Sequence, residues 1–252
     1  MRDFSNIKLI FLDVDGVIAK NYFTPVDPLV LNALKKLGAK YHVSLCTGRS
    51  IKSAEEIITG AELEKFYHVV ETGSKVSRPG GDYAYEKFLT ISDLDKVIDA
   101  SKELTDNFGF CYNGKWRDKL EEVKDKKISI MSINTFSKDQ TSAVLETISP
   151  FVLNFHVTPL VSSFDPNGAH IHITHKEASK GFGTSFVQKQ LGISKAETLG
   201  VGDSIGDFPM LKECGIKVVM GNADNEVKSL ADIIIGDFED GGLVEFINDK
   251  LL

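Results

Sequence analysis

The sequence predicts an α/β protein, a doubly wound and mostly parallel sheet whose chain is interrupted by an inserted α+β module. Three observations carry this. Near both ends of the chain, short apolar runs break off into polar turns. Stretches with helical spacing alternate with those runs. Between the two ends the texture changes to segments in which polar and apolar residues alternate.

The first run, Ile7–Leu12 in "KLIFLDVDGVIAK", reads as a parallel strand covered on both faces, and it ends on two acids one residue apart. Asp27–Lys40 places Leu29, Val30, Ala33, Leu34 and Leu37 at helical spacing, with Gly38 near its end. "HVSLCTGR" is a second strand running into Thr47-Gly48-Arg49, Ile51–Thr59 a helix, and "FYHVVETG" a third strand and turn. The rhythm returns with a helix at Lys180–Leu191, a strand at Ala196–Asp203 and a short helix at Phe208–Glu213. "GIKVVMG" and "ADIIIG" follow as strands separated by a helix at Asn225–Leu230, and a helix near Gly242–Lys250 closes the chain. Both halves fit one Rossmann-like sheet. Between them, helices are expected at Ser92–Phe108 and Ser137–Ile148, and strands at Lys127–Ile133, Val152–His156, Leu160–Ser163 and His170–Thr174. The domain reading is therefore a core of residues 1–84 and 175–252, with an α+β insertion at 85–174.

Composition narrows the function. The 252 residues are 42% hydrophobic and 26% charged, as in a soluble globular protein, and the net charge of −7 with no dense basic block argues against a nucleic-acid surface. No apolar run approaches the roughly 20 residues that span a bilayer, and the N-terminus lacks the apolar stretch of a secretory signal. The three cysteines, Cys46, Cys111 and Cys214, are widely spread and read as reduced thiols. The expectation is a cytoplasmic protein, monomeric or homodimeric, that binds no membrane.

Ligands of open α/β sheets bind at the carboxyl ends of the strands, and four polar clusters converge there. They are Asp13 and Asp15 of "DVDG", Thr47 of "TGR", Lys180 of "SKG", and Asp203 and Asp207 of "GDSIGD". Two unit charges about 4 Å apart interact by roughly 4 kcal/mol at an effective dielectric of 20, so four acids on one rim need a partner. Hard oxygen ligands without His or Cys spacing point to Mg²⁺. Lys180, Thr47 and backbone N–H groups near Gly16 and Gly48 form a second half-site suited to phosphate. Phosphoryl chemistry follows, with Asp13 as nucleophile and Asp15 as proton shuttle. Lys176 competes with Lys180 for its role, but Lys180 directly precedes the helix.

This ordered set resembles the motifs of the haloacid dehalogenase superfamily, whose members are mostly Mg²⁺-dependent phosphatases. The likeness covers Ile7–Tyr83 and His175–Asp249, and the insertion resembles the α+β cap of the sugar-phosphatase branch. The resemblance implies hydrolysis of a small phosphorylated metabolite, such as a sugar phosphate or phosphoglycolate, through an aspartyl-phosphate on Asp13. It implies phosphate contacts from Asp15, Gly16, Thr47, Gly48 and Lys180. It also implies Mg²⁺ held by Asp13, the carbonyl of Asp15 and Asp203, with Asp207 as ligand or water-mediated partner. A hexose-phosphate mutase using the same intermediate and a non-enzymatic phosphate-binding module are the alternatives. Two positions depart from the branch pattern, Gly206 where Asn is common and Thr72 in "ETGS" where the branch shows "ENGA". Candidate substrate groups are Arg49 in the core and Lys115, Trp116, Arg117, His170, His172 and Lys176 in or beside the insertion. Of these, the Arg117 fork suits a second anionic group.

Overall fold

The computed structural model describes residues 3–151, 153–161 and 167–252. They divide into two compact units, Met1–Tyr85 with Lys180–Leu252, and Glu86–Ser179. No helix among the described residues is long and apolar enough to cross a membrane.

In the first unit, Leu9–Leu12 lies between Thr198–Gly202 and His42–Leu45 in a parallel sheet that continues through Ile216–Val219 to a short edge strand, Ile233–Ile234. The period of two explains why the first strand is apolar throughout. Ile10 and Leu12 pack with Leu34, Leu37 and Val43 on one face, and Leu9 and Phe11 with Val187, Met210 and Leu211 on the other. The helix Pro28–Lys40 starts where the Asp27 side chain accepts the Leu29 amide and Pro28 pre-sets the first turn. Leu29, in the expected apolar stripe, is instead 67% exposed. Gly38 lies near the helix end as expected, inside the last turn, and a Cβ there would sit 3.0 Å from Leu63 and 3.2 Å from Phe66.

The third apolar run behaves differently from the expectation of a full parallel strand. Val69 makes one parallel bridge to Cys46, and His68–Val70 then pairs antiparallel with Lys75–Ser77. The turn between them runs through Glu71, Thr72 and Gly73, all at positive φ.

The second unit is an antiparallel sheet ordered Lys115–Arg117, Phe108–Tyr112, Ile130–Thr135, Ala169–His175, Phe155–Val161. The helices Ile91–Ser101 and Lys138–Ile148 cover one face, where Leu94, Val97, Val144 and Ile148 meet Phe110, Met131, Ile133, Ile171 and Ile173. The expected helix Ser92–Phe108 therefore stops early. Phe108 and Phe110 satisfy their backbone in the sheet opposite Ile133 and Met131. The expected strands Val152–His156 and Leu160–Ser163 become one strand, Phe155–Val161; Val152 and residues 162–166 lie outside the described residues. Pro159 sits in this strand without breaking a ladder because the strand is at the sheet edge. The Asn113-Gly114 turn, with both φ positive, closes the hairpin that carries Lys115–Arg117.

A buried histidine ties the second and third strands. His68 Nδ1 accepts the Leu45 amide at 3.1 Å while Nε2 donates to Leu63 O at 3.1 Å, a pattern only the neutral ring satisfies. Burial pushes its pKa down to about 4. The folded value lies below the unfolded one, so its contribution is fully present above about pH 6.5 and is lost as pH falls toward 4. Urea denaturation at pH 7 and pH 5 will show a loss of roughly 2 kcal/mol from this residue. His68→Gln, which keeps an acceptor and cannot titrate, will remove the His68 share of the pH dependence and leave that of His42, which burial likewise pushes down to about 4.

Candidate active site

The site is assembled at the carboxyl edge of the parallel sheet in the first unit. Asp13 follows the first strand and keeps its backbone in the ladder, its amide donating to Val201 O at 3.0 Å. The chain then reverses tightly, with the Ile18 and Ala19 amides both bonded to Val14 O at 2.8 Å. Gly16 makes this possible at φ +82°, and a Cβ there would fall 2.0 Å from Asp203 Oδ2. The Gly16 amide donates to Ala19 O at 2.7 Å, so it is not the free phosphate donor expected from the sequence.

Lys180, the first residue of its helix, lies between two carboxylates. Its Nζ is 2.7 Å from Asp13 Oδ1 and 2.6 Å from Asp207 Oδ1, all three side chains being buried. Lys176 is exposed. The other oxygen of Asp207 accepts the Asp203 and Ser204 amides, each at 3.0 Å, and the Ser204 hydroxyl at 3.3 Å. Asp207 thus shapes the loop that presents Asp203. The Ser204 hydroxyl is spent on this bond, and Gly206 is buried beneath it.

Asp13, Asp203 and Asp207 each offer an oxygen within 4.8 Å of the others. Burial foremost, then the Asp207 carboxylate, raises Asp13 to about 7 against the pull of Lys180. Burial, Asp207 and Asp13 raise Asp203 to about 8. Burial opposes the charge on Lys180, but Asp13 and Asp207 prevail and its pKa moves upward. Asp203 Oδ1 is buried with no hydrogen-bond partner among the described residues. An all-oxygen cluster with an unused buried acceptor fits a hard cation such as Mg²⁺. Cys46, beneath Lys180, is pushed up to about 12 by burial and is an inert thiol.

Asp15 is placed apart. Arg49 grips it, Nε donating to Oδ2 at 3.1 Å and Nη2 to Oδ1 at 2.6 Å. Thr47 is fully buried, and its Oγ1 accepts the Arg49 amide at 3.1 Å, leaving its own proton for another acceptor. The Gly48 amide makes no hydrogen bond among the described residues. The left-handed turn braces this loop, with the Glu71 amide on Arg49 O at 2.8 Å and the Thr72 amide on Thr47 O at 3.1 Å.

One residue that sequence reasoning missed belongs here. Asn222 Nδ2 donates to Gly16 O at 3.3 Å and Asp203 Oδ2 at 3.4 Å, while its Oδ1 accepts the Phe238 amide at 3.0 Å. It follows the strand Ile216–Val219, so the carboxyl-edge rule that found Asp203 could have found it.

In the second unit the register separates the candidates. Arg117 stands opposite Phe110 and Lys115 opposite Tyr112, on the helix-covered face. Arg117 is engaged there with Glu122 at 3.4 Å and with Trp116 O at 2.7 Å, so it is not presented as a free fork for an anion. Trp116, opposite Cys111, shares the face turned away from the two helices with His172, its ring centroid 5.8 Å away. His170 is on that face too, bonded through Nδ1 to Asn134 Oδ1 at 2.7 Å.

A parallel sheet whose carboxyl edge joins buried carboxylates to a buried lysine is an enzyme site of the α/β class. A model of the haloacid dehalogenase-like hydrolases matches residues 10–247, and the chain belongs to that family. It is 27% identical over 248 residues to the phosphoglycolate phosphatase of Staphylothermus marinus, covering 98% of each chain. It is 29% identical over 210 residues to the phosphatase YwpJ of Bacillus subtilis, covering 79% of this chain and 70% of the relative. Among solved structures, a haloacid dehalogenase-like hydrolase from B. subtilis matches with a TM-score of 0.83 at 19% identity, over 97% of this chain and 100% of that one.

The geometry makes Lys180 the counter-charge of the site. Lys180→Met leaves Asp13 and Asp207 facing each other unneutralised, and denaturant titration will show a loss of about 3–5 kcal/mol. Adding Asp207→Asn to that variant removes one of the two stranded charges and will recover part of the loss.

Proposed function

We propose that this protein is a Mg²⁺-dependent phosphatase that hydrolyses the phosphomonoester of a small metabolite through an aspartyl-phosphate on Asp13. One observation carries the reading: three carboxylates cluster around a site whose one buried ammonium pairs with Asp13 and Asp207, so with all three ionised the cluster has a formal charge of −2 that a divalent ion would balance. Asp13 and Asp203 would hold that ion, with the Asp15 carbonyl completing the protein donors. Asp207, already bonded through both oxygens, orients Asp203 and Lys180. The ion, when bound, neutralises charge on the phosphoryl oxygens.

The chain's own residues do the rest. An Asp13 oxygen attacks phosphorus in line as the ester P–O bond breaks, and Asp15 gives its proton to the leaving oxygen. Water then attacks the aspartyl-phosphate, Asp15 takes its proton, and the Asp13–phosphorus bond breaks to release phosphate. Lys180 holds Asp13 aligned and balances its charge. The Thr47 hydroxyl and the Gly48 amide donate to the phosphoryl oxygens. We read Glu86–Ser179 as a specificity unit, with His170, His172 and Trp116, on the sheet face turned away from its helices, as its recognition groups. The names of the phosphatase relatives support a small phosphorylated substrate.

Asp13→Asn will abolish turnover of p-nitrophenyl phosphate while the circular dichroism spectrum and melting profile stay those of a folded protein. EDTA will abolish the same activity and added Mg²⁺ will restore it. Turnover that survives either treatment overturns the assigned nucleophile or metal.

A further inference from the structure

The loop after the acid pair carries two aromatic rings that the fold does not use. Tyr22 is 54% exposed and Phe23 72% exposed, and their centroids are 5.4 Å apart at 78°. At that exposure neither ring contributes much to a core, yet the turn that presents them is well secured. Asn21 Oδ1 accepts the Phe23 amide at 3.0 Å and the Thr24 hydroxyl at 2.9 Å, and Asn21 O accepts the Thr24 amide at 3.2 Å. Arg49 Nη2 adds a bond to Asn21 O at 2.9 Å.

Arg49 connects this turn to the chemistry. Its guanidinium carbon lies 5.2 Å from the centre of the Tyr22 ring while the same group grips Asp15. Its Nη1 makes no hydrogen bond among the described residues. Asp13, Lys180 and Asp203 take the phosphoryl end of a substrate; Asp15 meets the leaving oxygen. Whatever stands beside Asp15 therefore meets the leaving group.

We propose that Tyr22 and Phe23 form a leaving-group subsite that selects phosphomonoesters whose alcohol carries a flat aromatic or apolar face. The rings supply stacking and apolar contact, Arg49 Nη1 supplies a donor beside them, and the Asn21 turn holds the rings in place before substrate arrives. This rests on the phosphatase reading above.

Benzyl phosphate and n-propyl phosphate test it, because their alcohols are similar in acidity and differ mainly in the flat ring. With Mg²⁺ present, the wild-type enzyme will favour the benzyl ester in kcat/KM. In Tyr22→Leu, Phe23→Leu and the double variant, the benzyl-to-propyl ratio will fall by about fivefold to tenfold, carried mainly by KM. Calorimetric titration with benzylphosphonate and propylphosphonate reads the same preference without turnover. A ratio that stays at the wild-type value while both substrates slow together means that the rings only brace Arg49; that overturns the subsite and leaves the phosphatase reading intact. A wild-type enzyme that turns over p-nitrophenyl phosphate but shows no preference for the benzyl ester or for benzylphosphonate overturns the subsite alone, whereas the absence of p-nitrophenyl phosphate turnover with Mg²⁺ overturns the phosphatase reading and the subsite with it.

Discussion

The ammonium of Lys180, buried between Asp13 and Asp207, is the contact on which the site depends. It draws together residues far apart in the chain, one at the end of the first strand, one at a helix start, one in the loop after Thr198–Gly202. Burying such a cluster costs several kcal/mol per ion in desolvation, and only short, well-aimed pairs repay it. The alignment here is short on both sides. Asp207 goes further, using its remaining oxygen on the backbone of the loop that presents Asp203. Ion pair, loop shape and acid placement are therefore one structure rather than separate features.

The neighbouring loop is held by strain. Glu71 and Thr72 have φ of 51° and 57°, a region costly for a β-branched residue, typically about 1–3 kcal/mol. In that conformation their amides reach Arg49 O and Thr47 O, which fixes the turn that carries Thr47, Gly48 and Arg49. A buried ion pair, Lys75 to Glu71 at 3.1 Å, closes across the strained residues. Thr72 at the position where the branch pattern has Asn meets this geometry at an energetic cost, because Asn tolerates the left-handed region better than Thr. Its Oγ1 is buried without a hydrogen-bond partner among the described residues, a second cost accepted at the same spot.

Much of this was legible in the sequence. Continuous apolar runs ending in polar turns located the strand ends, and the carboxyl-edge rule gathered Asp13, Thr47, Lys180, Asp203 and Asp207. Period, by contrast, cannot say where a helix yields to a strand. Phe108 continues a plausible helical stripe, and only its pairing with Ile133 makes it extended. Nor can sequence say which face a hairpin residue occupies, so Arg117 read as a free cation although the register turns it toward Glu122. Asn222 was hidden for a different reason. A single polar residue in a glycine turn has no periodic signal, and it matters only because Gly16 and Asp203 happen to lie within its reach.

Two acids one residue apart need not share one compensating charge. The reversal at Gly16 turns the chain so that each carboxylate faces a different cation, Asp13 toward Lys180 and Asp15 toward Arg49. Their surroundings then diverge. Asp13 is buried among other acids and paired with Lys180, in keeping with the nucleophile proposed above, whereas the Asp15 side chain is 41% exposed, in keeping with the proposed group that exchanges protons with a leaving alcohol and then with water. A spacing of one residue is enough to give the two carboxylates separate cations and separate surroundings, provided the residue after Asp15 can take a left-handed turn and carries no Cβ. At this position only glycine meets both conditions.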